Sequence, residues 1–295
     1  MGQSKLGLLA SAALMSIRVS RWGIISIACC SVGAAILLFP QNARSATIAA
    51  HAGDTSPTTE NFGLWPFNGS ISVAALPHDH GHAAWQIANS GSTNEQAYYN
   101  LLGGTGGYDS GGSGLTAPQI KSINKHGFTV SLRARLVQGP IYISGGTNLF
   151  SIGATVAGFN GMRYDIDLGS DGNGNTLVIL PTLTSFNNVV FTATPFGAPL
   201  LIEGTGYHLY QLSFDPTTQL ATLYVDGAEQ VVGYPGSSVS GGATANNYGL
   251  AFGSVNDATG NFALVKLVSG QLKASEGTDA PISHDFAVGT VGPGN

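Results

Sequence analysis

The chain has 295 residues, of which only 9% are charged, and its formal net charge is −5 at pH 7. This length suits one all-β domain with tails or two small domains. A soluble helical protein uses more Lys and Glu, whereas 42 glycines and few charges are typical of short strands joined by many turns.

Residues 1–46 have the order of a secretory signal. Arg18 and Arg21 precede an uninterrupted apolar run, residues 23–39, and a proline and small residues follow it. We therefore expect export to a secreted, periplasmic or cell-surface location. The run is intermediate in length between a signal core and a spanning helix, so an uncleaved membrane anchor is the alternative. Met15 is an alternative start.

The cysteines and charges describe the exported chain further. Both cysteines, Cys29 and Cys30, lie in the apolar run, so the exported chain would gain no disulfide. Loss of residues 1–45 removes four of the 11 basic side chains and leaves seven against 16 acidic ones, a net charge of −9. This balance argues against a nucleic-acid partner, which requires a basic surface.

The exported chain divides into a leader, a domain and a tail. Residues 47–82 are rich in Thr, Ser, Pro, His and Gly and predict a low-complexity leader with one strand. From residue 83 to 270, short alternating runs separated by turn residues predict about eleven strands in an all-β sandwich. Residues 271–295 lose the alternation and predict a loosely packed tail.

One short helix interrupts the predicted strands. The segment LTAPQIKSINKHG contains Thr116 as the expected N-cap, Pro118 in the first turn and Gly127 as the terminator. The helix would close one end of the sandwich immediately before the strand FTVSLRARLV.

The clearest hairpin pattern is GYHLYQLSFDPTTQLATLYVDGAEQ, residues 206–230. Alternation places Tyr210, Leu212 and Phe214 on one strand face. Asp226 and Gly227 predict a tight turn into a third strand. Three consecutive strands would form a meander with one buried face.

This stretch resembles the laminin-G-like branch of the concanavalin A-like lectin/glucanase superfamily, whose strongest signature is of the type H.Y.L.FDP.T..A.LYVDG. Looser matches are AAWQIANSG, LTAPQIKSINKHGFTVSLRARL and FGSVNDATGNFALVKLVSG, so the resemblance covers residues 83–270. It implies a jelly-roll sandwich that binds glycans or proteins at its rim or concave face, often beside calcium. The superfamily also contains glycanases and lyases, so the resemblance leaves function open.

The carboxylates do not match a known catalytic pattern. Hydrolases of this superfamily carry E-x-D-x-E or E-x-D-x-x-E on one strand, a spacing absent from this chain. The nearest pair, Asp165 and Asp167 in MRYDIDL, would share one strand face. We predict ligand contacts there, with Arg163 and Tyr164 beside them; a solvated strand face and a catalytic dyad are the alternatives. As a dyad, the pair lacks an apolar flank to raise one pKa.

The arginine distribution indicates an acidic ligand. After export only Arg133, Arg135 and Arg163 remain. Arg133 and Arg135 would face away from the core of FTVSLRARL and could bind the carboxylate of an acidic sugar. The alternative is that they balance acids such as Asp165 and Asp167.

Two segments contain metal-ligand chemistry. The loop SVNDATGN gathers Asn256, Asp257 and Asn261, whose oxygens are of the kind calcium prefers, although turn chemistry also explains them. The segment PHDHGH, residues 77–82, places three imidazoles at a spacing that can bind zinc or copper. A surface His cluster is the simpler interpretation of PHDHGH.

Together these patterns predict an exported, non-catalytic carbohydrate-binding or adhesion module for acidic glycans, with calcium as the expected cofactor. One alternative is a glycoside hydrolase or polysaccharide lyase built on Asp165 and Asp167. Another is a structural domain that binds surface proteins. The expected partner is accordingly a glycan or a surface protein.

Overall fold

A computed structural model describes residues 46–67, 70–90, 96–101, 114–142, 151–159, 162–187, 190–240, 249–255 and 257–272. Residues 1–45 of the predicted signal 1–46, and residues 273–295 of the predicted tail 271–295, lie outside this part of the chain. Within it, no helix combines the length and apolarity needed to cross a membrane.

The described residues form eighteen strands, one α-helix and one 3-10 turn. The helix α1 is Ala117–His126 and the 3-10 turn is Pro57–Glu60. In chain order the strands are β1 (Ala46–Ala52), β2 (Phe62–Phe67), β3 (Ser70–Asp79), β4 (His82–Ser90), β5 (Gln96–Leu101), β6 (Phe128–Gln138), β7 (Ile152–Phe159), β8 (Met162–Ser170), β9 (Thr176–Ile179), β10 (Pro181–Asn187), β11 (Val190–Pro195), β12 (Leu200–Ile202), β13 (His208–Asp215), β14 (Leu220–Val225), β15 (Ala228–Tyr234), β16 (Ser237–Ser240), β17 (Gly249–Val255) and β18 (Thr259–Ser269).

These strands make two sheets that pack face to face. Sheet A has eight strands in the order β15-β14-β13-β6-β18-β4-β3, with β1 also paired to β18. Sheet B has ten, in the order β11-β10-β16-β8-β7-β17-β5-β2, with β9 paired to β8 and β12 to β9. The pairings are antiparallel except that of β10 with β16. The predicted all-β sandwich with one short helix is confirmed.

The core lies between the sheets and is rich in aromatic rings. Phe128 of sheet A meets Tyr164 of sheet B edge to face, with ring centroids 5.4 Å apart. At another point Phe252 of sheet B packs on Phe262 of sheet A at 5.3 Å. These rings are buried between the two sheets, and the apolar area that they remove from water stabilises the packing of one sheet on the other.

The predicted meander consists of β13, β14 and β15, paired antiparallel in sequence order. Tyr210, Leu212 and Phe214 all lie in the core, as the alternation indicated. Asp226 and Gly227 have φ values of 50° and 80°, which a tight hairpin turn requires at both central positions.

Helix α1 begins and ends where its capping residues predict. The backbone N–H of Thr116 donates to the Gln119 side chain at 2.8 Å, one half of a capping box. The helix ends at Gly127, whose φ of 79° suits glycine. A Cβ at this position would also lie 2.1 Å from the carbonyl oxygen of Phe214, so no other residue fits.

The segment 47–82 differs from the leader that its composition predicts. It forms β1, β2 and β3, which pair with β18, β5 and β4. His51 of β1 is fully buried and stacks on Phe252 with ring centroids 5.1 Å apart. Within the described residues the sandwich therefore begins with β1 at Ala46 rather than at residue 83, because strand pairing orders a segment that is rich in turn residues.

Candidate functional site

The outer face of sheet A carries a hydrogen-bonded cluster centred on Asp79, which we call the Asp79 network. Arg135 donates to both carboxylate oxygens of Asp79, from Nε at 2.8 Å and from Nη2 at 3.0 Å. The Tyr207 hydroxyl donates to Oδ2 at 2.7 Å, and the Asn261 amide donates to the same oxygen. Gln86 completes the network by donating to the Asn261 carbonyl oxygen at 3.1 Å.

Strand pairing explains why these residues meet. Arg135 of β6 lies opposite Asn261 of β18, and Asn261 lies opposite Gln86 of β4. The tight β3–β4 turn, with positive φ at both central residues, returns the chain so that Asp79 ends beside this row. The result is a row of amide and guanidinium groups across three adjacent strands, with one carboxylate at its side.

The network fixes Asp79 as an anion. Burial alone would raise the pKa of Asp79, but hydrogen bonds from Arg135, Tyr207 and Asn261 outweigh it and lower the pKa to about 2. Burial raises the pKa of Tyr207, and the hydrogen bond to the Asp79 carboxylate raises it further. Proton exchange at these groups near neutral pH is therefore disfavoured.

Arg133 and Arg135 share the outer face of β6, as predicted, but their surroundings differ. Arg135 is committed to Asp79, and its side chain is only 14% exposed. Arg133 pairs in register with Leu209 of β13 and Leu264 of β18. Among the described residues, Arg133 forms no ion pair. The two arginines therefore do not offer a ligand two unpaired guanidinium groups side by side.

The second candidate cluster lies on the outer face of sheet B, along β8. Arg163 donates from Nε to Asp165 Oδ2 at 2.8 Å, and the Thr155 hydroxyl donates to Asp165 Oδ1 at 2.5 Å. Arg163, Asp165 and Asp167 are all buried. The prediction that Asp165 and Asp167 share a strand face is confirmed, but the solvated-face alternative is wrong.

Asp167 has a different environment from Asp165. It is 2% exposed, and its Oδ2 atom has no hydrogen-bond partner among the described residues. Gly153 lies opposite Asp167 in register, and a Cβ on that glycine would lie 2.7 Å from Asp167 Oδ1. Burial and the charge of Asp165 raise the pKa of Asp167 well above its usual value, against the effect of Arg163. The expectation that neither acid would have a raised pKa is wrong.

Tyr164 does not reach a ligand-accessible face. It is 1% exposed and packs against Phe128 and Phe214 between the sheets. Because it follows Arg163 directly, alternation turns it to the opposite side of β8. Tyr164, predicted to contact ligand, is a core residue.

The three predicted calcium ligands are not presented as a set. Asn256 lies outside the described residues, and Asp257 is an exposed turn residue with a φ of 58°. Asn261 is buried in β18, where both of its side-chain amide atoms are bonded within the Asp79 network. In the described part of the chain, no three His, Cys, Asp or Glu side chains are placed to hold a metal.

The histidines of PHDHGH lie at the β3–β4 hairpin and thus within sheet A. His82 meets Tyr207 edge to face at 4.9 Å, and burial together with the charge of Arg133 lowers the pKa of His82. His80 lies in the turn, with Nε2 3.9 Å from Asp79 Oδ1. These histidines border the Asp79 network rather than form a separate site.

No protein-family model and no curated protein matches the sequence. Domain 4 of AbnA, a GH43 extracellular arabinanase from Geobacillus stearothermophilus, in complex with arabinotriose, is similar with a TM-score of 0.43 and 15% identity, over 80% of this chain and 98% of its own. The binding domain of botulinum neurotoxin DC, in complex with rat synaptotagmin II, has a TM-score of 0.42 and 10% identity, over 79% and 50%.

A sialidase from Trypanosoma rangeli, in complex with sialic acid, has a TM-score of 0.39 and 16% identity, over 76% of this chain and 32% of its own. This chain thus spans about half of the neurotoxin domain and about a third of the sialidase. Because their TM-scores are below 0.5, these similarities identify neither the family nor the ligand of this chain.

Proposed function

We propose that this chain is an exported, non-catalytic carbohydrate-binding module that binds its ligand on the outer face of sheet A. The observation that carries the proposal is the Asp79 network, in which carboxylate, guanidinium, hydroxyl and amide groups are fixed on one sheet face. Such groups are the donors and acceptors that sugar hydroxyls require. The side chains of Asp79 and Arg135 keep 13% and 14% of their surface exposed, so the edge of the network reaches solvent.

The geometry of the row supports binding to an extended chain of sugars. Adjacent strands lie about 4.8 Å apart, so the half-buried Arg135 and Gln86 present polar groups two strands apart, and the buried Asn261 between them is bonded to Gln86 and Asp79. Their mutual hydrogen bonds hold them in place before a ligand arrives. Preorganised groups lose less conformational entropy on binding, which favours affinity.

The same network argues against catalysis on this face. Its carboxylate accepts hydrogen bonds from three side chains and has a pKa of about 2. A general acid or base works best with a pKa near the working pH. The network is therefore suited to hold a ligand and poorly suited to transfer a proton to it.

A glycan array probed with the full-length chain tests this proposal, first with calcium and then with a chelator. We expect binding that Gln86→Ala weakens, because this change removes one group of the row and leaves the Asp79–Arg135 ion pair intact. The matched control is Gln211→Ala, on the same sheet face but hydrogen-bonded to Ser131 instead. Loss of binding in chelator would support the calcium prediction. No binding to any glycan, or equal effects of the two variants, would contradict the proposed site.

A second candidate function, a glycoside hydrolase or lyase, is favoured by the environment of Asp165 and Asp167. Arg163 and Thr155 donate hydrogen bonds to Asp165, and burial together with the charge of Asp165 raises the pKa of Asp167, as a general acid requires. Incubation with array glycans followed by product analysis tests this function. Cleavage that Asp167→Asn abolishes would favour it over simple binding, and the absence of products would exclude it for those glycans.

A further inference from the structure

We infer that the ligand of sheet A carries an anionic substituent, a carboxylate or a sulfate on a sugar, and that Arg133 binds it. This inference rests on the proposed function, because it assigns the ligand class of the same face. The sequence presents Arg133 and Arg135 as equivalents. The structure separates them into a residue that holds the network and a residue that remains open to a ligand.

Arg135 is the positioning residue. Its guanidinium already forms two parallel hydrogen bonds with Asp79, and its Cζ atom lies 5.9 Å from the centroid of the Tyr207 ring. A second carboxylate would have to compete with a bidentate ion pair that is mostly shielded from solvent. Arg135 therefore orients Asp79 and Tyr207 rather than binding an anion directly.

Arg133 has the features that Arg135 lacks. It projects from the same face two residues earlier on β6 and forms no ion pair with the described residues. Leu209 and Leu264 are its register partners, so apolar side chains are placed to pack along its stem. A guanidinium whose donors are unused by the described residues matches the planar oxygens of a carboxylate, and it also suits a sulfate.

The charges around the Asp79 network also favour an anionic ligand. In the part of the face formed by β3, β4, β6 and β18, Arg133, Arg135 and Lys266 outnumber Asp79 by two charges, and the acids Asp215 and Glu229 lie farther along the sheet on β13 and β15. Lys266, opposite Ser131 in β18, also forms no ion pair with the described residues. This locally positive region, on a chain whose net charge is −5, attracts an anion, while the remaining surface repels a long polyanion such as nucleic acid.

The test measures binding of the full-length chain to immobilised polygalacturonate, dextran sulfate and uncharged dextran. We expect binding to at least one acidic polymer to exceed binding to dextran and to weaken with salt. Arg133→Ala should reduce that affinity roughly tenfold or more, the usual effect of losing a charged hydrogen bond. Arg133→Lys should restore part of it. Lys125→Ala, which removes an exposed charge from α1, is the matched control and should change little.

The outcomes separate this inference from the function on which it rests. If the chain binds dextran or array glycans and Arg133→Ala has no effect, the inference is wrong and the proposed function stands. If no polymer and no glycan binds, the proposed function fails as well. Equal affinity for single-stranded DNA and for the acidic polymers would show general attraction to polyanions and would overturn the inference. The two acidic polymers distinguish a carboxylate ligand from a sulfate ligand.

Discussion

Asp79 on sheet A and Asp167 on sheet B are both shielded carboxylic acids on outer sheet faces, yet their pKa values move in opposite directions. Asp79 receives hydrogen bonds from three side chains, and its pKa falls to about 2. Asp167 has a buried oxygen without a partner among the described residues and a carboxylate neighbour, so its pKa rises. Burial disfavours both anions, and the partners decide which acid stays ionised.

The difference also distinguishes two uses of arginine. On sheet A, Arg135 pairs with Asp79, and Arg133 forms no ion pair with the described residues. On sheet B, Arg163 pairs with Asp165 and leaves Asp167 beside a like charge. The Asp79–Arg135 pair stabilises a polar face whose edge reaches solvent. The pairing of Arg163 with Asp165 instead leaves Asp167 buried, where its ionised form destabilises the fold.

The largest expected effect comes from breaking the Asp79 network. Asp79→Ala leaves the Arg135 guanidinium largely shielded and unpaired, so we expect the free energy of unfolding to fall by about 3 kcal/mol. Chemical denaturation measures this. Adding Arg135→Ala should recover part of the loss, because the unpaired charge is then gone. Additive losses in the double variant would show that the two residues are not coupled.

The next effect is the acid sensitivity that Asp79 confers. Its folded pKa of about 2 is below its unfolded value of 3.8, so its contribution is present above pH 4 and is lost as the pH falls towards 2. After allowance for solvent screening, the free energy of unfolding of the wild type should fall by about 1 to 2 kcal/mol more over this pH range than that of Asp79→Asn. Denaturation series at several pH values provide the comparison, and parallel curves for the two proteins would contradict it.

A smaller effect of opposite sign is expected at Asp167. Because its folded pKa is raised, the folded state binds the proton more tightly, and stability falls as the pH rises above about 4. Asp167→Asn cannot ionise and should therefore be more stable than the wild type at pH 7. Its advantage should shrink towards pH 4. A variant that is less stable at pH 7 would show that the Asp167 anion has partners outside the described residues.

The smallest effect is expected for Arg133→Ala. Because this side chain forms no ion pair in the described structure, its loss should change the free energy of unfolding by no more than about 0.5 kcal/mol. A thermal melt beside the binding assay checks this. A large loss of stability would mean that Arg133, like Arg135, supports the fold rather than a ligand.

Local sequence was sufficient to predict the meander and the helix. Tyr210, Leu212 and Phe214 alternate into the core, and Thr116 and Gly127 bound the helix. The strands β1 to β3 were not predicted as a group, because their turn-rich composition conceals pairings with strands far along the chain. The DHGH turn at residues 79–82 was the available signal for the β3–β4 hairpin.

The candidate site could likewise be predicted from the sequence only in part. Alternation placed Arg133 and Arg135 on one face and Asp165 and Asp167 on another, and both assignments hold. The partners did not follow from the sequence, because Asp79 and Arg135 are separated by 56 residues and Asp79 and Asn261 by 182. Nothing in the pattern MRYDIDL indicated that Asp167 would be buried beside a glycine.

The sequence by itself determined which residues alternate, where turns form and which side chains share a strand face, because these depend on backbone geometry over a few residues. Only the tertiary structure decided which charges meet, since the order of strands in a sheet joins distant segments. That order gave Arg135 a carboxylate partner and left Arg133 without one among the described residues, and these two outcomes underlie the proposed binding face.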